Sequence, residues 1–424
     1  MKIILLFFAV LSVAGAEVRT MTLRQAIELA MKQSPDVVLA RLDQRKAADN
    51  VEVARDPFVP KVWGGSGLAY TSGYPSSIDG AAPSIFQART DMAIYNRPLR
   101  LQVAAARENA RGAAIDVQSK QDDVAYRTAL LYLDAGQSAH NVEAARRQLE
   151  VLERVQESVR LQVGAGRALD IENQRAKVDV LRARQRAAAF ADDQVNAETS
   201  LALVLGFGPD DRVRPADGDA PSLRTTATED ELVTQALSNS NDIRKLESQM
   251  QAKGLEVRGY RSARLPQIDL VAQYALFAQH NYQDYFRRFQ RNNGELGVSI
   301  KVPLLVGKAS YAYAAEAEAD AAKLRTQMNA THGRVAADTR KSYAAVRTAE
   351  MARDVAKADL DLARDQVSID LAQMGEGRTP LSRVEQTRFI EDEKWLVFYD
   401  AEHAVERARL DLLRQTGTLL AVLK

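Results

Sequence analysis

The chain is written twice. Ala26-Ile27, Ala30, Ser34 and Asp36-Val37 return as Leu232-Val233, Ala236, Ser240 and Asp242-Ile243, each displaced by 206 residues. Val51 returns as Val257, Val59-Pro60 as Leu265-Pro266 and Val62 as Ile268 at the same offset, and Pro98-Leu99 returns as Pro303-Leu304 at 205. Gly164-x-Gly166-Arg167 matches Gly375-x-Gly377-Arg378, and Gly206 matches Gly417, both at 211. The offset changes only where loops are expected. The chain therefore reads as a tandem duplication, with a first repeat over 17–205, a polar Pro/Gly/Asp linker over 206–228 and a second repeat over 229–424.

Residues 1–16 read as a secretory signal. Lys2 precedes an apolar run from Ile3 to Val13, and Ala14-Gly15-Ala16 supplies the small-x-small pattern of a cleavage site. As a helix that run rises only ~16 Å, about half of a ~30 Å bilayer core, which argues against a membrane anchor. No later stretch approaches eighteen uncharged apolar residues, so any bilayer contact is expected to use β-strands. With 57 Lys and Arg against 56 Asp and Glu, the chain lacks the basic excess of a nucleic-acid binder. The absence of cysteine excludes a disulfide framework, a thiolate metal site, a thiol nucleophile and a lipid-bearing N-terminal Cys. Gly and Pro together are about 8% of the chain against an average near 12%, which with abundant Ala favours long helices.

Both repeats carry the same order of elements. A helix, from 23 to about 55 or from 229 to about 262, is closed by Pro57 and Pro60 or by Pro266. Strands are expected at about 62–70 and 88–97, and again at about 267–277 and 295–302. In the second repeat Ile268, Leu270, Ala272, Tyr274 and Leu276 alternate with Gln267, Asp269 and Gln273, as a strand with one apolar and one wet face requires. Leu296, Val298, Ile300 and Val302 alternate in the same way with Gly297, Ser299 and Lys301. The first repeat is fainter, with Gly64, Gly65 and Gly67 interrupting. Turn formers fill 71–87 and 279–295.

Beyond Pro98 and Pro303 helical patterning runs over about 98–163 and 308–374, roughly 100 Å at 1.5 Å per residue. Heptad-like positions are Leu152, Val159 and Val163, then Leu360, Val367, Leu371 and Met374, with Val178, Leu181 and Ala188 on the return helix. The two Gly-x-Gly segments turn the chain into return helices over about 168–205 and 379–416.

Four two-faced strands cannot close a barrel, which needs about eight, and open edges are not tolerated in lipid. Several chains are therefore expected to combine. The duplicated order, the phrases Ala263-Arg264-Leu265-Pro266-Gln267-Ile268 and Val302-Pro303-Leu304-Leu305-Val306-Gly307, and the Gly-x-Gly tips resemble the TolC-like outer-membrane efflux proteins over the whole mature chain. The resemblance implies a mainly α fold with a membrane β-barrel. In it a homotrimer forms twelve strands in the outer membrane, continued by an α-barrel across the periplasm. It implies a periplasmic adaptor and an inner-membrane pump as partners, outer-membrane lipid around the barrel, no catalysis and no cofactor.

That frame assigns candidate sites. Asp269, Gln273, Ser299 and Lys301 occupy the wet strand faces and are expected to line water. Gly164, Gly166, Gly375 and Gly377 mark the tips where an adaptor docks. Arg167 and Asp170 in the first repeat, with Asp370, Glu376 and Arg378 in the second, are candidates for a gate in which an arginine bridges acids of neighbouring hairpins. Their alternative role is solvation of an exposed turn. The sequence departs from the family where members carry an acid just after the second tip: Leu381 stands here, the nearest acids being Asp370, Glu376 and Glu385. Leu169-Asp170-Ile171 does resemble the family's Leu-Asp-Val.

Weaker patterns have plainer explanations. Neither Gly-x-Gly follows a strand in a βαβ unit or ends in Gly-Lys-Ser/Thr, so hairpin turns are expected rather than phosphate loops. His140, His280, His332 and His403 have no second His at ligand spacing, and solvated or helix-surface roles are expected for them. Asp400 and His403 lack an accompanying nucleophile or oxyanion loop. Arg287, Arg288 and Arg291 fall in a loop between strands, and Trp63, Tyr70, Tyr95, Tyr274 and Tyr311 stand as interfacial girdle or packing residues. The rival class, a secreted periplasmic coiled-coil adaptor or structural protein without a pore, explains the helical hairpins but not the alternating strand pairs.

Overall fold

A computed structural model describes residues 17–67, 84–216, 227–277, 291–376 and 378–423. The signal segment, Tyr70, His280, Arg287, Arg288, Gly377 and most of both expected loops lie outside them. In chain order the first repeat holds β1 (Val18–Met21), α1 (Leu23–Gln33), α2 (Pro35–Arg55), a 3-10 turn (Asp56–Phe58), β2 (Lys61–Gly67), β3 (Ser84–Tyr95), α3 (Arg97–Gly164) and α4 (Asp170–Val204). After β4 (Arg212–Pro215) the second repeat holds α5 (Glu229–Asn239), α6 (Asn241–Arg261), β5 (Gln267–Phe277), β6 (Asn292–Lys301), α7 (Ala309–Gly375), α8 (Leu381–Gln415) and α9 (Leu419–Leu423). The chain forms two compact units, one of residues 1–39, 118–241 and 332–424, the other of 40–117 and 242–331.

Local chemistry sets the helix ends. The Thr22 hydroxyl accepts the N–H of Gln25 at 3.3 Å while Gln25 Oε1 accepts that of Thr22 at 3.1 Å, and Thr228 with Glu231 repeats this capping box. The single opening helix expected in each repeat is in fact two. Pro35 disfavours helical backbone at Ser34, whose ψ is 126°, and then serves as the first residue of α2. The break recurs at Ser240, ψ 116°, where no proline follows. Among the described residues three helices end on a glycine in the left-handed region: Gly166 (φ 67°), Gly206 (φ 85°) and Gly417 (φ 66°). In each, the following N–H reaches back five residues, as Arg167 to the Gln162 carbonyl at 2.9 Å, which closes the helix in a Schellman motif.

The first unit is helical with one small sheet. Its core gathers Leu23, Ala26 and Ile27 of α1, Val124, Ala129 and Tyr132 of α3, Leu201 of α4, Leu410 of α8 and Leu419 of α9. The segment expected to be only a linker contributes β4, which pairs in parallel with β1 from Val18↔Arg212 to Met21↔Pro215. The Tyr132 hydroxyl serves both, donating to the Met21 carbonyl at 3.1 Å and accepting the Ala216 N–H at 3.2 Å. Buried Glu198 on α4 accepts from Arg214 of β4 at 2.8 Å and from Gln194 at 3.0 Å.

Side-chain pairs order the long helices of this unit as α4–α3–α8–α7. Arg184 of α4 pairs with Glu153 of α3 at 2.7 Å. Down the joint between α3 and α8, Asp123 meets Arg414 at 2.9 Å, Tyr126 meets Asp411, Asp134 meets Arg407 at 3.2 Å and Gln137 meets Asp400 at 2.6 Å. Lys394 of α8 pairs with Asp359 of α7 at 2.7 Å. Every neighbouring pair is antiparallel, since the numbers fall on one helix as they rise on the next. His140 stacks on Tyr399 with centroids 5.4 Å apart yet stays on the exposed helix surface expected for it, whereas His403 stands 3.1 Å from Asp134 and is half-buried in the α3–α8 joint. Within the joint the Tyr126 hydroxyl is pushed up to about 12, mainly by burial and then by the Asp411 carboxylate.

The heptads split into two sets. On α7, Leu360 and Val367 are buried as expected, together with Ala356 and Ala363. On α4 the expected seam points outward: Val178 is 45% and Leu181 55% exposed, while Val180 and Ala183 face inward.

In the second unit α6 packs on the starts of α3 and α7, with the Ser248 hydroxyl donating to the Glu108 carbonyl at 2.6 Å, Lys245 pairing with Asp116 and Lys253 with Asp320. Its four strands form one antiparallel sheet in the order β2-β3-β5-β6. The two repeats thus join through β3 and β5. β3 begins earlier than its faint pattern suggests and carries register shifts at 84–86 and 93–95.

Candidate functional site

The strand register assigns every sheet residue to a face. Val62↔Thr90↔Ala272↔Leu296 forms one row across all four strands, and Met92↔Leu270↔Val298 and Ile268↔Ile300 share its side. The opposite side holds Lys61↔Asp91↔Val271↔Gly297, then Trp63↔Arg89↔Gln273↔Glu295, then Asp269↔Ser299 and Gln267↔Lys301. One face is therefore apolar and the other polar across both repeats. Leu296 (78%), Val298 (57%) and Ile300 (66%) are exposed in the isolated chain, and no charged residue accompanies them among the paired positions of that face. Such a surface fits lipid, while the other fits water.

Asp269, Gln273, Ser299 and Lys301 all fall on the polar face, and Lys301 Nζ stands 3.2 Å from Asp269. Sequence reasoning missed the first repeat's share, Lys61, Gln87, Arg89 and Asp91, because the glycines and the register shift mask its alternation. The charges there are matched in number, Lys61, Arg89 and Lys301 against Asp91, Asp269 and Glu295. Arg89 pairs with Asp91 at 3.1 Å, and Lys61 pairs with Asp56 of the preceding turn. Tyr274 and Tyr95 lie on the apolar face, as girdle residues would, but Trp63 lies on the polar one and Tyr311 in α7.

The hairpin tips hold the second group. Gly164 ends α3 and Gly166 makes the turn; Gly375 ends α7, and Arg378 repeats the closing bond to the Gln373 carbonyl at 2.8 Å. Glu376 and Arg378 pair locally at 3.2 Å. Arg167 and Asp170 are exposed, with no ion pair among the described residues. Asp370 differs from the rest. It is only 4% exposed, accepts the Thr387 hydroxyl across the hairpin and the Gln366 amide at 2.9 Å, and has the Arg383 guanidinium 3.7 Å away as an ion-pair partner. The Thr387 bond, helped by Gln366 and Arg383 against the effect of burial, holds its carboxyl below the usual range. Asp370 is thus engaged inside its own hairpin. The equivalent first-repeat positions, Val159 and Ala176, carry no such bond.

Among the described residues no cluster of three or more His, Asp or Glu is placed to hold a metal ion, and no helix is long and apolar enough to cross a membrane. What remains is a sheet with one lipid-compatible and one water-compatible face, carried by duplicated repeats that also build long helical hairpins. That combination defines a class of membrane channel subunits that cross the bilayer with strands.

The chain belongs to the outer membrane efflux protein family, whose model matches residues 26–207 and 232–420, one block per repeat. Membership places it in the outer membrane. Solved structures share its fold. The CmeC outer membrane channel of Campylobacter jejuni is 15% identical with a TM-score of 0.71, over 94% of this chain and 86% of that one. The outer membrane protein VceC of Vibrio cholerae is 16% identical with a TM-score of 0.72, over 93% and 96%. The MtrE outer membrane channel of Neisseria gonorrhoeae is 14% identical with a TM-score of 0.71, over 94% and 89%. No curated protein matches the chain by sequence.

Proposed function

We propose that this chain is the outer-membrane conduit of a multi-component export assembly and that it conducts and does not catalyse. An inner-membrane pump delivers substrate, and a periplasmic adaptor seats the conduit at the tips around Gly164 to Asp170 and Gly375 to Leu381. The observation that carries this reading is the two-faced sheet with two unpaired edges. In a bilayer each unsatisfied backbone group costs several kcal/mol, on the order of the stability of a small domain when summed over an edge. Identical copies remove that cost by pairing β6 of one with β2 of the next. Three copies supply twelve strands, enough to close a barrel around water. The polar face then lines the lumen and the apolar face meets lipid.

At the periplasmic end the exposed charges Arg167, Asp170, Glu376 and Arg378 are the groups that hold the closed state, because Asp370 is already satisfied within one hairpin. Purification from outer membranes in detergent, followed by native mass measurement and planar-bilayer recording, tests the reading. A closed oligomer with discrete conductance steps is expected. A stable, non-conducting monomer would overturn it.

A further inference from the structure

The small sheet of the first unit begins where the leader is expected to end. Ala14-Gly15-Ala16 directs cleavage to the bond between Ala16 and Glu17. Glu17 already belongs to the β1–β4 ladder, since its carbonyl accepts the Arg212 N–H at 3.1 Å just ahead of the first register pair, Val18↔Arg212. Its own nitrogen stands 3.4 Å from Asp211 Oδ1. The other oxygen of that carboxylate, Oδ2, accepts the Gly208 N–H at 3.1 Å, while the Asp211 N–H returns to the Gly208 carbonyl at 3.2 Å. A tight turn thus orients the carboxylate and leaves Oδ1 facing the Glu17 nitrogen.

We propose that Asp211 is the binding site of the α-ammonium group that cleavage creates at Glu17. Hydrolysis breaks the bond from the Ala16 carbonyl carbon to the Glu17 nitrogen with one water, whose hydroxyl goes to the carbon and whose proton goes to the nitrogen. At neutral pH the new acid then loses a proton and the new amine gains one. The catalyst is the signal peptidase that the small-x-small pattern serves, not this chain. Before the cut, Glu17 offers one neutral N–H at a long 3.4 Å; after it, three donors and a unit charge face the carboxylate.

Three features select this nitrogen and this acid. The first is position. An extended strand rises ~3.3 Å per residue, so a cut two residues earlier would carry the ammonium about 7 Å beyond Asp211. The second is competition within the residue: the Glu17 side chain is engaged by Arg19 at 2.7 Å, and Arg19 lies over the Phe207 ring at 4.6 Å, which draws the residue's own carboxylate away. The third is anchoring. The far end of β1 is tied by Tyr132, whose hydroxyl bridges the Met21 carbonyl and the Ala216 N–H, and Asp211 supplies the matching tie at the near end. The ammonium pair therefore fastens β1 to a residue 194 positions away, and does so only in the processed chain. The capture is independent of conduction.

An α-amino group ordinarily titrates near ~8, and only its neutral form is acylated, so an ion pair that holds the ammonium slows its labelling near neutral pH. The mature chain in isolated outer membranes is treated with an amine-reactive acylating reagent, and its N-terminal peptide is read by mass spectrometry. An N-terminus at Glu17 is expected. Relative to the chain's lysines, it should label about 2- to 5-fold faster in Asp211→Asn than in the parent, and no faster in Asp210→Asn, which removes an exposed acid one residue away. A start at any other residue or a blocked nitrogen overturns the proposal, as does an equal rate in the parent and Asp211→Asn, or equal acceleration by both variants. If Asp211→Asn does not accumulate, the parent chain decides alone: raising salt to ~1 M should speed labelling of Glu17 by screening the pair, and a rate indifferent to salt overturns the capture.

Discussion

The hydroxyl of Thr387 on α8 donates to the carboxylate of Asp370 on α7, tying the second hairpin together one turn above its tip. The bond holds the Asp370 carboxyl below its usual range, so the folded state gains stability that is complete above the unfolded value near ~4 and is lost as pH falls through the folded one. Asp370→Asn is therefore expected to flatten the acid limb of thermal stability below pH ~4 relative to the parent chain. Melting curves across pH 2–6 check this. An unchanged acid limb would mean that Asp370 contributes nothing to the hairpin's pH response.

Adjacent residues of β6 should respond oppositely to the same substitution. Val298→Arg or Ile300→Arg places a cation on the apolar face and is expected to cost about 2 to 4 kcal/mol near mid-bilayer, whereas Ser299→Arg should fold. Denaturant titration of the detergent-extracted oligomer measures the difference, and equal tolerance at all three positions would reverse the face assignment.

Matched charges on the polar face predict weak ion selectivity. Replacing both Asp91 and Asp269 by Lys should shift the zero-current potential toward anion preference under a salt gradient, because the paired cations Arg89 and Lys301 lose their partners. No shift would place these residues away from the conduction path.

The left-handed glycines are not equally replaceable. At Gly417 an added Cβ would lie 2.8 Å from the Asn239 Cβ and 3.4 Å from its carbonyl oxygen, whereas at Gly206 it would meet the movable end of Gln33 at 2.9 Å. Both alanine variants carry a left-handed penalty of about 1 to 2 kcal/mol, and Gly417→Ala should lower the melting temperature further than Gly206→Ala.

Arg214 and Glu198 form a pair with one wet and one dry partner, the glutamate side chain being 1% exposed and the arginine 47%. Arg214→Ala strands a buried carboxylate and is expected to cost about 3 kcal/mol or more, while Glu198→Gln, which leaves the arginine in water, should cost less. Chemical denaturation of both variants decides the order.

How much of this was legible in the sequence follows from the reach of the forces involved. β5 and β6 showed themselves because an uninterrupted period of two needs no partner to be seen. β3 has the same alternation from Phe86 to Met92, but the shift at 93–95 and the glycines of its neighbour β2 blurred it. β1 and β4 span four residues each, too few for any period, and their pairing spans nearly 200 positions. On α4 the heptad of Val178 and Leu181 was visible, yet periodicity does not say which neighbour a seam faces, and a second set at Val180 and Ala183 packs inside the chain. The engagement of Asp370 was hidden altogether, since it depends on Thr387 beyond the turn.

The unpaired edges of β2 and β6 also bear on inheritance. In a ring closed head to tail each copy supplies one half of two different joints, and no joint is spare. On the proposed assembly, a chain damaged at a single edge would not simply fail alone; it would leave open every ring that it entered. Damage there should be dominant over an intact second gene copy, whereas loss of the whole chain should be recessive.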